Sequence, residues 1–209
     1  HSLITQWTGT KSKTLLKLLL ASFPSMVPAT TLMDALWRGV EEELARQRLH
    51  TAISDLRRAL RAVRPEAGAL IVSQAGSYGL DPRALIWIDR VEFERARRAA
   101  QQLEQLGRME EASDALRQAA ALYRGAYLEE EIYDDWPAEQ REQLKGEYLS
   151  TLARLSQWAF AAGDYESCLS WCRLTLECDP GREDAHRLLM RCYCRLGQRS
   201  AALRQYRQC

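Results

Sequence analysis

Between Lys11 and Leu80 three stretches of helical apolar spacing are followed by two short strand-like runs that turn at Gly76. Leu15, Leu16, Leu18, Leu19 and Leu20 mark the first helix, Pro24 and Pro28 break the chain, and Thr30 to Trp37 supports about two more helical turns. After Gly39 a third helix is predicted over roughly Ala45 to Arg64, because Leu49, Ala52, Ile53, Leu56 and Leu60 fall on one stripe. Pro65 to Gly68 then reads as a turn, Leu70 to Val72 as a strand, Gln74 to Ser77 as a reversal and Tyr78 to Leu80 as the return strand. Three helices closed by a hairpin are most simply a winged helix-turn-helix, and that order points to DNA.

The third helix carries the chemistry. Stepping about 100° per residue from its apolar stripe brings Gln47, Thr51, Ser54 and Arg58 to the opposite side, flanked by His50 and Arg61. A helix in the major groove needs such groups: amide and guanidinium forks match base edges, and short hydroxyls reach bases or phosphates without bulk. Any amphipathic surface helix also has a polar outer face, so the helical wheel alone does not separate the two readings. The hairpin does more to decide, since Ser77 near its tip is then placed to touch the sugar-phosphate backbone or the minor groove.

Three segments resemble a known family, the Streptomyces antibiotic regulatory proteins, which join an OmpR-like winged helix to a bacterial transcriptional activation domain. LMDALW at Leu32 to Trp37 resembles the family's second helix, LHTAISDLRRAL at Leu49 to Leu60 its recognition helix, and GSYGLD at Gly76 to Asp81 the return strand of its wing. By that resemblance His50, Thr51, Ser54 and Arg58 face DNA and Arg57 lies near the backbone. Asp55 departs from a position where the family often has a basic residue, and Gly79 replaces a frequent arginine on the wing, which implies weaker phosphate affinity. At three residues' spacing Asp55 is also placed to pair with Arg58.

The 209 residues suffice for two modest domains, expected at 1–89 for the winged helix and 90–209 for a second, helical domain. Residues 1–89 hold 11 Lys and Arg against 8 Asp and Glu, while residues 90–209 hold 18 against 20. That mild positive bias suits a binder that gains affinity by dimerising or through another protein. No apolar run approaches the roughly 20 residues of a membrane span and no signal peptide is visible, so the expected location is the bacterial cytoplasm, on the nucleoid when bound. The start at His1-Ser2 and the end within a helical pattern at Cys209 suggest a fragment, with only Leu3 to Trp7 left as a strand before the first helix.

The second half is helical and repeats. Leu106-Gly107, Ala162-Gly163 and Leu196-Gly197 are turn signals, and five residues after each glycine stands a small residue: Ala112, Cys168 and Ala202. The last two glycines are 34 residues apart, the tetratricopeptide (TPR) period. The first interval is 56, and the extra length falls near Tyr127 to Gln140, an acidic stretch before a long helix from about Ala138 to Ala162. ALYRGAYL at Ala121 to Leu128 and DDWPAEQREQL at Asp134 to Leu144 resemble the signature of the family's activation domain. The resemblance implies dimerisation or RNA polymerase contact through this TPR-like part, with the acidic stretch as one candidate surface and a solvated loop as its plain alternative.

All six cysteines, Cys168, Cys172, Cys178, Cys192, Cys194 and Cys209, lie in the last 42 residues. Cys168 and Cys172 share a helical face near His186, which raises the question of zinc. Cys192 and Cys194 point about 200° apart on a helix, no CxxC pair exists, and Cys168 already has a packing role in its repeat. No metal site, cofactor or catalytic residue is expected: neither His50 nor His186 has a nucleophile with an orienting carboxylate, and no phosphate-cradling glycine loop opens a helix. The six tryptophans read as core anchors, Trp37 between the second and third helices and Trp87 at the joint between domains. Two function classes remain, a DNA-binding transcription regulator and a protein-interaction adaptor whose winged helix no longer binds DNA.

Overall fold

The computed structural model describes residues 7, 9–84, 87–131 and 136–209. The chain divides into two units, His1–Ile88 and Asp89–Cys209. Of the strand considered at Leu3 to Trp7, only Trp7 falls within the described residues, and Asp134 and Asp135 of the acidic stretch lie outside them.

In the first unit the order is α1 (Thr10–Ser22), β1 (Val27–Pro28), α2 (Ala29–Leu36), α3 (Glu42–Val63), β2 (Ile71–Gln74) and β3 (Ser77–Leu80). The apolar stripe of α3 explains the packing: Leu49 and Leu56 are fully buried, Ile53 and Leu60 nearly so, and they close on Leu15 and Leu19 of α1, Leu32 and Leu36 of α2, and Ile71 and Leu80 of the hairpin. Each fully buried leucine contributes roughly 1.5–3 kcal/mol relative to leaving it exposed. Trp37 packs at the edge of this core, as its position between α2 and α3 suggested.

The helix α3 begins three residues before the expected Ala45. Glu42 and Glu43 lie at the positive end of its dipole, and the Arg46 guanidinium donates to Glu42 Oε1 at 2.6 Å across the first turn. Leu70, expected to open the first strand, instead ends a 3-10 turn over Pro65–Leu70. The hairpin closes through Ala75 and Gly76 with φ of +47° and +74°, the pattern of a two-residue turn whose twist matches the strands. The strand β1 was not expected, because Pro28 reads as a breaker. At the sheet edge a proline needs no ladder donor, and Val27 and Pro28 pair with Tyr78 and Ser77 to give the antiparallel order β1-β3-β2.

The second unit comprises α4 (Asp89–Gln105), α5 (Met109–Leu122), α6 (Ala138–Ala161), α7 (Tyr165–Cys178), α8 (Glu183–Arg195) and α9 (Arg199–Gln208), with one 3-10 turn at Glu129–Glu131. The three repeat glycines end α4, α6 and α8 in the same way. Gly107, Gly163 and Gly197 have φ of +73°, +79° and +72°, and the next residue's N–H reaches back five residues, Arg108 to Leu103, Asp164 to Ala159 and Gln198 to Tyr193. A left-handed residue followed by that bond closes a helix end and starts its antiparallel partner. Five residues later, Ala112 and Cys168 have no exposed surface and Ala202 is half-buried, so the small side chains stand where paired helices approach.

Two clusters hold these pairs. Phe93, Leu116, Tyr148 and Leu152 centre the first, with Tyr123 stacked on Tyr148 at 4.0 Å between ring centroids. Cys168, Leu169, Cys172, Leu189 and Cys192 centre the second. An ion pair from Arg97 to Glu147 at 2.6 Å and another from Arg154 to Glu104 tie α4 to α6. Before α6, Arg141 Nε donates to Tyr127 O at 2.9 Å and anchors the longer inter-repeat connection. No helix among the described residues is long and apolar enough to cross a membrane.

Candidate nucleic-acid interface

The polar residues of α3 occupy an arc that the core packing turns outward, and the structure divides that arc into three parts. Gln47, Thr51, Ser54 and Arg58 are exposed. Toward the hairpin, His50, Ser54, Arg57 and Arg61 meet Ser73 of β2 and Tyr78 of β3 around a polar cleft of about 360 Å³. Toward α1 and α2, Gln47, Thr51 and Asp55 border a second depression of about 350 Å³ with Lys11, Trp37 and Arg48. Arg58 lies between these two flanks on the helical wheel.

Local chemistry presets several of these groups. Arg57 Nη2 donates to Ile71 O at 3.1 Å, so this side chain clamps α3 to the hairpin and keeps its remaining N–H groups for the cleft. Thr51 Oγ1 donates to Gln47 O at 3.1 Å, which leaves its oxygen as an acceptor facing outward. Arg58 Nη2 donates to Asp55 Oδ1 at 2.6 Å, the pairing that the spacing allowed. With Arg58 about two-thirds exposed, that ion pair is screened and holds the guanidinium weakly.

The register of the hairpin decides which of its residues stand beside α3. Ser73 pairs with Tyr78 and Gln74 with Ser77. Cross-strand partners share a face and successive residues alternate, so Ser77 points to the face opposite Tyr78 and does not join the α3 residues. Ser73 and Tyr78 line the cleft there, while Ser77 stays at the hairpin tip beside the turn. A signal for them existed in the alternation Ile71-Ser73 and Tyr78-Leu80, whose apolar ends fix the core face, but it required the register. Gly79 is explained by contact: a Cβ there would approach Met26 Sδ to 2.5 Å, so the arginine that the resembled family often carries would have to displace Met26.

The cysteines and His186 all lie in the second unit. Among the described residues no group of three or more His, Cys, Asp or Glu is placed to hold a metal ion. Cys168, Cys172 and Cys192 are buried free thiols of the second core, Cys178 is half-buried, and Cys194 and Cys209 are exposed. Hydrogen bonding to Cys172 and burial push the Cys168 thiol up, and burial does the same to Cys192, so both stay protonated near neutral pH. Both ring nitrogens of His186 are engaged: Nε2 meets Pro180 O at 2.9 Å and Nδ1 meets Gln205 Nε2 at 2.6 Å, the ring joining α8 to α9. Trp87, expected as an anchor, is 57% exposed.

Residues 88–209 match the family described as the bacterial transcriptional activator domain. No curated protein matches the chain. Among solved structures it is similar to Mycobacterium tuberculosis EmbR in complex with low affinity phosphopeptide, with a TM-score of 0.78 and 21% identity over 98% of the present chain. That likeness is one of fold, and the chain spans 54% of the EmbR chain.

Proposed function

The chain belongs to the bacterial transcriptional activator domain family, as its resemblance to the Streptomyces antibiotic regulatory proteins implies, and from that premise we propose a sequence-specific DNA-binding activator. In this reading the first unit is a winged helix whose α3 lies in the major groove, with β2 and β3 as its wing. The observation that carries it is the convergence of α3 and the hairpin on one polar cleft, where His50, Ser54, Arg57 and Arg61 stand beside Ser73 and Tyr78. Gln47 and Arg58 offer forks for base edges, while Arg57, Arg61 and the Tyr78 hydroxyl suit phosphates at the groove wall. The net charge of +3 over residues 1–89 gives a modest phosphate term. The TPR-like second unit supplies the rest of the affinity through dimerisation or RNA polymerase contact.

The test is a salt titration of the full chain against a random-sequence duplex. A DNA binder loses affinity steeply as salt rises, and replacing Arg61 with Ala lowers the slope by about one. A duplex that does not bind at low salt overturns the reading. Arg58→Ala and Thr51→Ala, measured on a selected sequence, test the chosen face: unchanged discrimination places readout elsewhere. One observation favours the adaptor reading, namely the Asp55 carboxylate beside Arg58 on the outer face, which offsets part of the attraction to phosphate. The adaptor reading requires no duplex binding at any salt concentration.

A further inference from the structure

A groove of about 580 Å³ remains open in the second unit, where α5 runs beside the end of α6 and the start of α7. Its floor is apolar: Leu155 is buried, and Trp158, Ala159 and Trp171 are half-buried. Met109 at the lip is 46% exposed, and Leu106 just beyond it is 70% exposed. The Arg154 guanidinium sits 5.4 Å from the centre of the Trp158 ring and is itself paired with Glu104. The indole is thus held from one side while the groove stays open. The volume falls within the range of pockets that take a ligand, roughly 300–1,000 Å³.

The rim is acidic. Glu110, Asp114 and Asp164 border the groove, against Arg117 as the one cation among its lining residues. That cation pairs with Asp114 at 2.8 Å in an exposed, screened ion pair, so the four charged groups leave the rim with an acidic excess of two. Hydrogen bonds from Ser167, with a smaller contribution from the Arg117 charge, hold the Asp164 carboxyl below the usual carboxylate range, so it is ionised at neutral pH. Glu110 has no ion pair among the described residues and is exposed. An apolar floor with an acidic rim complements one kind of segment.

We propose that this groove docks a short segment of a partner protein in which a bulky apolar side chain is flanked by lysine or arginine. The apolar side chain covers the two tryptophans and the cations meet Glu110 and Asp164, which gives affinity from burial and selectivity from charge. This assigns a surface and a chemistry to protein contact by the second unit, and it does not depend on DNA binding by the first.

The experiment uses the full chain without DNA and a fluorescein-labelled peptide of sequence Arg-Lys-Phe-Leu-Arg-Lys. Saturable anisotropy is expected, weaker by about tenfold when Phe and Leu become Ala, and weaker by at least that when the cations become Glu. Ala162→Arg and Glu110→Lys alter exposed positions at the groove and are each expected to weaken the parent peptide about tenfold, with unchanged far-UV circular dichroism. Absence of saturable binding overturns the proposal, as does equal affinity for the acidic peptide or unchanged affinity in both variants. A dimer that Ala162→Arg dissociates, without peptide binding, also overturns it and assigns the groove to a second copy. Intact duplex binding alongside a failed peptide assay leaves the DNA reading standing.

Discussion

The two units bury their apolar residues by different means. The first gathers aliphatic side chains from all three helices and the hairpin into one cluster, and the outer surface of α3 that remains is polar apart from Leu44 near its start. The second divides its core into two smaller clusters in which aromatic rings, alanines and thiols join the leucines, and it leaves Leu106 and Tyr206 largely exposed and Met109 and Leu203 about half exposed. A helix with one wide apolar stripe finishes its packing within its own domain, whereas a stacked repeat hides each face only against a neighbour. The contrast matches the two proposed partners: a polar helix face for nucleic acid and an apolar groove for protein.

The largest effects should come from the cores. Leu56→Ala is expected to destabilise the first unit by about 2–5 kcal/mol and to lower amide protection throughout α3 and the hairpin together, because Leu56 sits in a single shared cluster. Leu189→Ala should cost a similar amount by the same mechanism but loosen α7 to α9 before the cluster of Phe93 and Tyr148. Hydrogen exchange reads both, and uniform loss in each unit breaks the contrast between one cluster and two.

Next in size is Gly79→Arg, which pushes the half-buried Met26 side chain aside and, because that side chain is flexible, is expected to cost about 1–1.5 kcal/mol, read as a lowered thermal midpoint. If stability holds and duplex affinity rises, Met26 moves freely and the hairpin accepts a cation. Smaller still is Asp164→Ala, which removes the acceptor from Ser167 N at the start of α7 and is expected to cost about 1 kcal/mol. The Asp164 carboxyl lies below its ordinary 3.8 in the folded chain, so its contribution is present above that value and lost as pH falls below it. The variant and the parent should therefore converge in strongly acidic solution.

Tyr148 tests the second unit from the alkaline side. Burial pushes its hydroxyl up to about 12 from an ordinary 10.0. The folded value is raised, so this stabilisation is full below pH 10.0 and disappears as pH rises through about 12. Tyr148→Phe should flatten the alkaline loss of helicity, measured beside tyrosinate absorbance. Asp55→Asn should have the smallest effect on stability, within about 0.5 kcal/mol for an exposed pair. By freeing Arg58 it should raise duplex affinity, and an unchanged affinity would place Arg58 outside the contact.

What was legible in the sequence was local. The stripe of α3, the turn at Gly76 and the three repeat glycines depend on spacing and on backbone conformations that a few residues fix, and each stands where the spacing placed it. The outer face of α3 was legible for the same reason, since a helix with a known buried side has a known exposed side. Element ends were less so: α3 starts at Glu42 and β2 at Ile71, because first-turn carboxylates and a 3-10 turn set the boundaries rather than the apolar pattern.

By itself, then, the sequence determined the helices, the hairpin, the repeat and the polar arc from Gln47 to Arg61. Only tertiary structure decided which groups share a site. Strand register brought Ser73 and Tyr78 to the α3 cleft and turned Ser77 away, edge pairing made a strand of Val27 and Pro28, and Met26 closed over Gly79. Packing of three helices likewise brought Met109 beside Trp158 and Trp171, which are distant in the chain. The physical reason is common to all of these: periodicity fixes which side of an element faces inward, and only contact between elements fixes what that side meets.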